Sequence, residues 1–574
     1  MEWPGAGRSI QGCSPVMEDR LLDVIETFFL KPHAQFLALL DEAVRPLRGP
    51  ALLPSRVLLV GLIYVGLEPG PNTQTRLARF YRSATKGQLR RIYGVPLGAT
   101  HQHLPAPSAP TRDQLYRTFD ALATGLGRMH RQRSRSELTD RKLASAQRHW
   151  QRQEDNVRAL LGAGDRDQAR LALTAQLLSG TAPPQPKDAP FTVDTTNIDA
   201  DCRPVSQAKL RRGEFAADPD ARWRVRDRGE LDANAPPHLQ SLGWDKIKKT
   251  FGYECVTIGG TDENVSYVYA AHTVAANEYD VPVALRLLDR MAEDGCRVER
   301  LISDRGYSGG ANWLDGQRKR GILPTFDLKR KQGARDPKFN GCPVVQGWPH
   351  VPQLPERLWD LERPGLQAPV EKIEKFRLAM AERQKYALVA HGKPTPTGVR
   401  VRSRLYNPSK GIKGRLGCPK VPGSMRIFDR SLVPCPGDHG LDAACCLKTA
   451  TFKAAYAPQS YQTPAWGTPE WEEIYSKRSN VERGYSTLKN PDVIGLTRGL
   501  FHMRGLPNFS LLITCMWIAH NLYLRLKKQT SLAKAQRVLA RATRKRRRRN
   551  QMPVLAAPNP PPNPVPNGRA RAGP

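Results

Sequence analysis

The chain is short of acid. Among its 574 residues, Lys and Arg number 89 and Asp and Glu 54, for a formal net charge of +35. Over residues 525–574 the shortage is complete, with fourteen Lys or Arg and no Asp or Glu, yet the residues before them still carry +21. A basic tail alone therefore does not explain the balance. A field of this size favours a polyanionic partner, either nucleic acid or an anionic membrane surface. Cysteine is also scarce: ten in a chain this long do not suggest a disulfide framework. No secretory leader is visible, since residues 1–14 hold Pro4, three glycines and no apolar core. Long hydrophobic runs are missing as well. Residues 57–67 are too few to span a bilayer, and the uncharged stretch 505–524 is interrupted by Pro507, Asn508, His520 and Asn521. It reads as a buried core helix, and the chain as soluble and intracellular. Hydrophobic residues at 40% and charged residues at 25% exclude a wholly disordered protein.

The length calls for several structural units. Residues 1–16 read as a disordered extension ahead of Met17. Residues 17–130 have helical periodicity, with Leu21, Leu22, Ile25, Phe28 and Phe29 on one face. The basic segment Gln74–Arg82, followed by Arg90 and Arg91, has the character of a DNA-reading module, although an ordinary helical domain with solvated arginines fits too. Residues 131–190 read as a polar helix or helix pair closed by a Pro-rich linker, which marks a domain boundary. Beyond it the period changes to that of strands. Phe191-Thr-Val-Asp-Thr-Thr196 alternates, and strands are expected over 253–258, 265–274, 298–303 and 322–326, with helices over 281–294 and 311–319. This is a mixed α/β layer pattern over 191–327. Residues 328–460, rich in Pro, Gly and Lys/Arg, read as a β-rich insertion. Helical pattern returns over 461–528, and 529–574 form a basic and Pro-rich tail.

Three segments carry candidate chemistry. Tyr475, Arg478, Glu482 and Lys489 fall within an arc of about 60° if residues 475–489 form one helix at about 100° per residue. Alone, that face reads as an exposed salt-bridged surface. Asp304 follows the apolar strand Leu301-Ile-Ser and precedes Arg305-Gly-Tyr307. Asp194 lies inside a strand pattern, where Asp is disfavoured; Asp199 and Asp201 are its rivals. Alone, each Asp reads as a turn or cap residue. Together, two strand-borne aspartates and a helix-borne glutamate in a basic α/β domain fit a site for Mg²⁺ or Mn²⁺. Two such ions about 4 Å apart can activate water and stabilise the leaving oxygen at a phosphodiester.

These segments, in this order, resemble the DDE transposases of bacterial insertion sequences, and more narrowly the subgroup with the Tyr-(2)-Arg-(3)-Glu-(6)-Lys signature. The resemblance covers about residues 190–525. It implies an RNase H-like catalytic domain with a β-rich insertion before the glutamate, preceded here by a helical N-terminal domain. It makes Asp194, Asp304 and Glu482 the catalytic metal ligands, and Tyr475, Arg478 and Lys489 phosphate contacts to the transposon end. It implies as partners double-stranded DNA, both terminal inverted repeats and target, with a dimer in the synaptic complex and no membrane. The protein is then expected in the bacterial cytoplasm, on the nucleoid.

Lesser candidates remain. Cys418, Cys435, Cys445 and Cys446, with His439, could bind zinc, but no clean C-x₂-C pair is present and reduced structural cysteines fit better. Trp348 and Trp359 could stack on a flipped base, although buried structural tryptophans are the simpler reading. Arg544, Lys545, Arg546, Arg547, Arg548 and Arg549 form a run suited to salt-dependent, sequence-independent DNA contact.

Overall fold

The computed structural model describes residues 19–45, 52–67, 74–95, 107–127, 140–186, 188–200, 202, 218, 220–227, 247–261, 266–308, 311–329, 336–352, 354–365, 368–402, 444–445, 447, 449–490, 494, 496 and 504–551. Two units separate, Met1–Leu524 and Arg525–Pro574.

The first unit opens with helices α1 (Asp19–Ile25), α2 (Lys31–Ala43), α3 (Ser55–Leu67), α4 (Gln74–Ser83), α5 (Lys86–Tyr93), α6 (Arg112–Gly125), α7 (Asp140–Leu161) and α8 (Arg166–Leu178), with a π-helical turn, Glu26–Leu30, joining the first two. Their ends are written in the sequence. Thr85 and Thr111 each close a capping box with the Gln three residues on, and Gly94 ends α5 in the left-handed region. On α4, Arg79 and Arg82 are exposed on the face opposite buried Leu77, Ala78, Phe80 and Tyr81. Arg91 is not a solvated cation of α5: it is turned onto Asp23 and Glu26 of the first helical turns.

A mixed sheet follows, made of β1 (Phe191–Asp199), β2 (Arg222–Asp227), β3 (Ile247–Gly260), β4 (Val268–Ala275), β5 (Arg300–Ser303) and β6 (Leu323–Phe326). Strand β1 pairs antiparallel with β3 and parallel with β5; β5 pairs parallel with β6, and β2 and β4 both pair antiparallel with β3. The crossovers run through α9 (Asp280–Glu293), then the short α10 (Arg305–Ser308) and α11 (Ala311–Lys319). Val193, Leu301, Ile302, Trp313, Leu314, Leu287 and Phe326 make the centre of the core between this sheet and its helices. Strand β2 was not expected, because Arg222-Trp-Arg-Val-Arg-Asp offers alternation but little apolar content.

The described residues of 328–460 include two three-stranded sheets and an α-helix. The first sheet has β7 (Asp336–Phe339), β8 (Cys342–Val345) and β9 (Trp348–Pro349); the second has β10 (Val389–Ala390), β11 (Gly398–Arg402) and β12 (Ala450–Lys453). Between them lies α12 (Val370–Gln384), a fifteen-residue helix that the Pro- and Gly-rich composition hides. A separate apolar core, including Phe339, Val345, Tyr386, Val401 and Phe452, closes this part. Trp348 is buried in that core and donates to the Leu388 carbonyl, and Trp359 packs against it and donates to that of Leu354. Cys445 is buried there with its thiol reduced; Cys418, Cys435, His439 and Cys446 lie outside the described residues.

Helices α13 (Pro469–Ser476), α14 (Ser479–Lys489) and α15 (Leu506–Gln551) complete the described chain. Residues Leu506–Ser531 are long and apolar enough to cross a membrane, but 78% of their most apolar window is buried inside the fold. The polar residues that interrupt this stretch are put to use there. The Asn521 side chain accepts from the Val268 amide and donates to the Val268 carbonyl and to Thr181, so it completes the edge of β4. His520 bonds the Ser266 carbonyl. The second unit is helical to Gln551; the side chains of Arg544 to Arg549 lie outside the described residues.

Candidate active site

Strand register brings the two aspartates together. Phe191 pairs with Leu301 and Thr192 with Ile302, a constant offset that sets Asp194 level with Asp304 on the neighbouring parallel strand. Residues level with one another on adjacent strands share a face of the sheet. Asp199 is five residues further along β1 and therefore on the opposite face; its side chain is exposed beside Gly252. Asp201 lies outside the described residues.

The glutamate comes from a helix laid over this sheet. Tyr485, three residues after Glu482 on α14, has its buried hydroxyl 2.5 Å from Oγ1 of Thr257, the cross-strand partner of Asp194. A second tyrosine ties the other side: Tyr307, of Asp-Arg-Gly-Tyr, has its hydroxyl 2.7 Å from Oγ1 of Thr195. Burial pushes both phenols well above the usual tyrosine range, so both stay neutral hydrogen-bonding groups.

The three carboxylates meet at one cation. Arg478 Nη2 is 2.7 Å from Glu482 Oε1, and its Nη1 is 3.9 Å from both Asp194 Oδ2 and Asp304 Oδ1. Asp194 accepts from the Thr195 amide and Asp304 from that of Arg305. Burial raises the Asp194 carboxyl to about 6; Asp304 and Glu482 push the same way, against the Thr195 amide and Arg478. A carboxylate held up in this way by burial and like charge calls for a cation.

Residues 475–489 are not one helix. Tyr475 lies in the last turn of α13, and Lys477 and Arg478 form a tight turn before α14, with the Arg478 amide bonded to the Tyr475 carbonyl at 3.0 Å. This turn lets Tyr475 point inward while Arg478 reaches the acids. The Tyr475 ring is buried and stacked on Trp471, 4.6 Å between centroids at 11°. Its phenol is raised above the usual range by burial foremost. Lys489 ends α14, about two turns from Glu482, and is half-buried.

Among the described residues no group of three or more His, Cys, Asp or Glu side chains stands as a ready cage for a metal ion. The donor set nevertheless fits a hard divalent cation: three carboxylates, no nitrogen or sulfur, converging on a single positive group.

One functional candidate was missed in the sequence. Ser303 pairs with Phe326, which puts Asp327 level with Asp304. Three neighbouring parallel strands thus carry aspartates at one level, Asp194 within β1 and Asp304 and Asp327 just past β5 and β6. The repeated apolar-strand-then-Asp pattern was the available signal.

The site thus joins a mixed α/β sheet to an acidic cluster gathered around the Arg478 guanidinium. Residues 220–522 match the family described as Transposase DDE domain, and the chain belongs to that family. The matched span contains Asp304 and Glu482 and begins after Asp194. No curated protein and no solved structure matches. Transposases of this family generally use divalent metal ions.

Proposed function

We propose that the chain is the transposase of a bacterial insertion sequence, of the subgroup marked by Tyr475, Arg478, Glu482 and Lys489. It binds the terminal inverted repeats of its element as double-stranded DNA, hydrolyses phosphodiesters at the ends and joins the exposed 3′-hydroxyl to target DNA. The observation that carries this reading is the convergence of Asp194, Asp304 and Glu482 on one guanidinium. The strand order β4–β3–β1–β5–β6, with β3 antiparallel and β5 and β6 in the parallel direction, supports an RNase H-like core split between 191–327 and 461–528.

In this reading Asp194, Asp304 and Glu482 are the catalytic residues and hold Mg²⁺ or Mn²⁺. Bound there, such ions would supply an activated water or hydroxyl and neutralisation of the leaving oxygen. Arg478 keeps the carboxylates from repelling one another and would contact a phosphate of the transposon end. Tyr475, backed by Trp471, and Lys489 contact the same strand. Tyr307 and Tyr485 fix the backbone and helix that carry the acids, so that the site is assembled before DNA arrives. Arg79 and Arg82 on α4 support an end-binding role for residues 17–130. Two ends must be brought together, which calls for a dimer on DNA, and the work belongs on the nucleoid in the cytoplasm.

The test is strand cleavage and joining on a labelled duplex carrying the terminal repeats that flank the gene, with Mg²⁺ and with Mn²⁺. Wild type is expected to nick at the repeat tip and to give joined products. Glu482→Gln is expected to lose nicking by at least a hundredfold, on the order of one electrostatic contribution to the transition state, with binding retained. Nicking without joining would select an RNase H-like endonuclease instead. Repeat binding without cleavage in either metal would leave a non-catalytic DNA-binding derivative.

A further inference from the structure

The third aspartate of the row behaves unlike the other two. Asp327 is buried, its side chain 3% exposed, whereas that of Asp304 is 43% exposed. Its Oδ1 accepts from Trp466 Nε1 at 2.8 Å. Its Oδ2 takes Arg305 Nε and Nη2 at 2.8 and 2.7 Å, and Arg363 Nη1 at 3.5 Å. Both of its oxygens are thus engaged by protein donors. Asp327 sits level with Asp304 and serves guanidinium groups rather than the acidic cluster.

The two arginines reach it from different parts of the chain. Arg305 follows Asp304 directly: its amide holds that carboxylate while its side chain goes to Asp327 and stays 44% exposed. Arg363 comes from the loop ahead of α12, and its guanidinium carbon lies 5.3 Å from the ring centroids of both Trp471 and Tyr475. Stacking on aromatic faces leaves the edge of a guanidinium for hydrogen bonding. Both guanidinium groups thus lie against one carboxylate, beside Asp304 and Tyr475.

We propose that Arg305 and Arg363 form a clamp for a DNA backbone phosphate beside the acidic cluster, with Asp327 as their positioning residue. The inference rests on the proposed reading of that site as one that cleaves DNA. It adds a contact outside the Tyr475–Lys489 signature and assigns Asp327 to DNA positioning rather than to metal. A planar fork held at one edge by a carboxylate presents its remaining N–H groups in a fixed direction, the geometry that suits a phosphate's oxygens.

The full-length protein is titrated with a fluorescent 40-base-pair duplex over a series of salt concentrations, with cleavage by Mn²⁺ measured in parallel. Arg305→Gln and Arg363→Gln are each expected to weaken binding several-fold. Each should flatten the slope of log K against log salt by about one phosphate's worth, roughly 0.9. Arg363→Lys, which keeps the charge, should restore the slope. Asp327→Asn should flatten it while the midpoint of Mn²⁺ activation stays in place. A merely structural role would leave every slope unchanged, and if wild type binds and cleaves while neither Gln variant moves the slope, the clamp is wrong and the proposed function stands. A shifted Mn²⁺ midpoint in Asp327→Asn would assign that residue to metal and also overturn the inference. Wild type that neither binds nor cleaves DNA would sink both. Arg305 lies on the rim, so Arg305→Gln carries the test even if a variant at Arg363 loses its unfolding transition.

Discussion

Asp194 is a residue whose position costs the free protein stability. Burial holds its carboxyl at about 6 against an ordinary value of 3.8, with Asp304 and Glu482 pushing the same way. The folded state therefore holds this proton more tightly than the unfolded chain. The stabilisation from protonated Asp194 is fully present below pH ~4 and is lost as pH rises through about 6. Asp194→Asn keeps the shape without the charge. We expect it to raise metal-free stability above pH 6 by about 1–3 kcal/mol, the upper end being the full shift at ~1.4 kcal/mol per unit. The gain should vanish toward pH 4. Urea unfolding at pH 4.5 and 7.5 measures this, and equal stabilisation at both values would refute it. This residue was legible in the sequence because an Asp inside an alternating strand breaks the local propensity rule, and such a break points to a site. Asp327 breaks no such rule. It follows a strand as any turn residue would, and its level with Asp304 depends on a register that one strand cannot reveal.

At the scale of elements, α14 sets where Glu482 stands, and its one irregular feature is Gly484. A glycine inside a helix usually marks a close approach, and Gly316 on α11 is such a case: an added Cβ would come within 2.7 Å of a Leu285 methyl. Gly484 differs. A Cβ there would meet His520 of α15 no closer than 3.8 Å, an ordinary van der Waals distance. Gly484→Ala should therefore raise stability by about 0.5–1 kcal/mol through the restricted unfolded chain and the better helix former. Thermal unfolding beside wild type decides it, and a lowered melting temperature would show that α14 needs the gap. The sequence made these helices readable through their apolar stripes and caps. It could not separate α13 from α14, because residues 477 and 478 remain near helical dihedrals and no Gly or Pro marks the turn. Helix α12 escaped for a related reason: its surroundings are rich in Pro and Gly, and composition averaged over the insertion conceals fifteen regular residues.

On the scale of the whole molecule, the charge has two separable parts. The residues before 525 carry +21 and include the exposed arginines of α4 and the arginines around the acidic cluster, while the last fifty carry +14 with no acid to offset them. These should act differently on DNA. Cations fixed on folded elements meet phosphates at set positions and orient the duplex, whereas a run of six adjacent cations neutralises whatever backbone it meets. Arg544, Lys545, Arg546, Arg547, Arg548 and Arg549 can be replaced together with Gln; among the described residues the apolar core is built from residues before 525. We expect the stability of the first unit to be unchanged. Affinity for a random-sequence duplex should fall steeply, with a salt slope reduced by up to about 5, or ~0.9 for each phosphate no longer neutralised. Affinity for a duplex carrying the element's own ends should fall less, so that discrimination between the two improves even as both weaken. Parallel salt titrations on the two duplexes measure this. A slope that drops equally with no gain in discrimination would mean that the run meets the ends as it meets any DNA. An unchanged slope on both would mean that it touches no DNA, leaving affinity to the +21 carried by the rest of the chain.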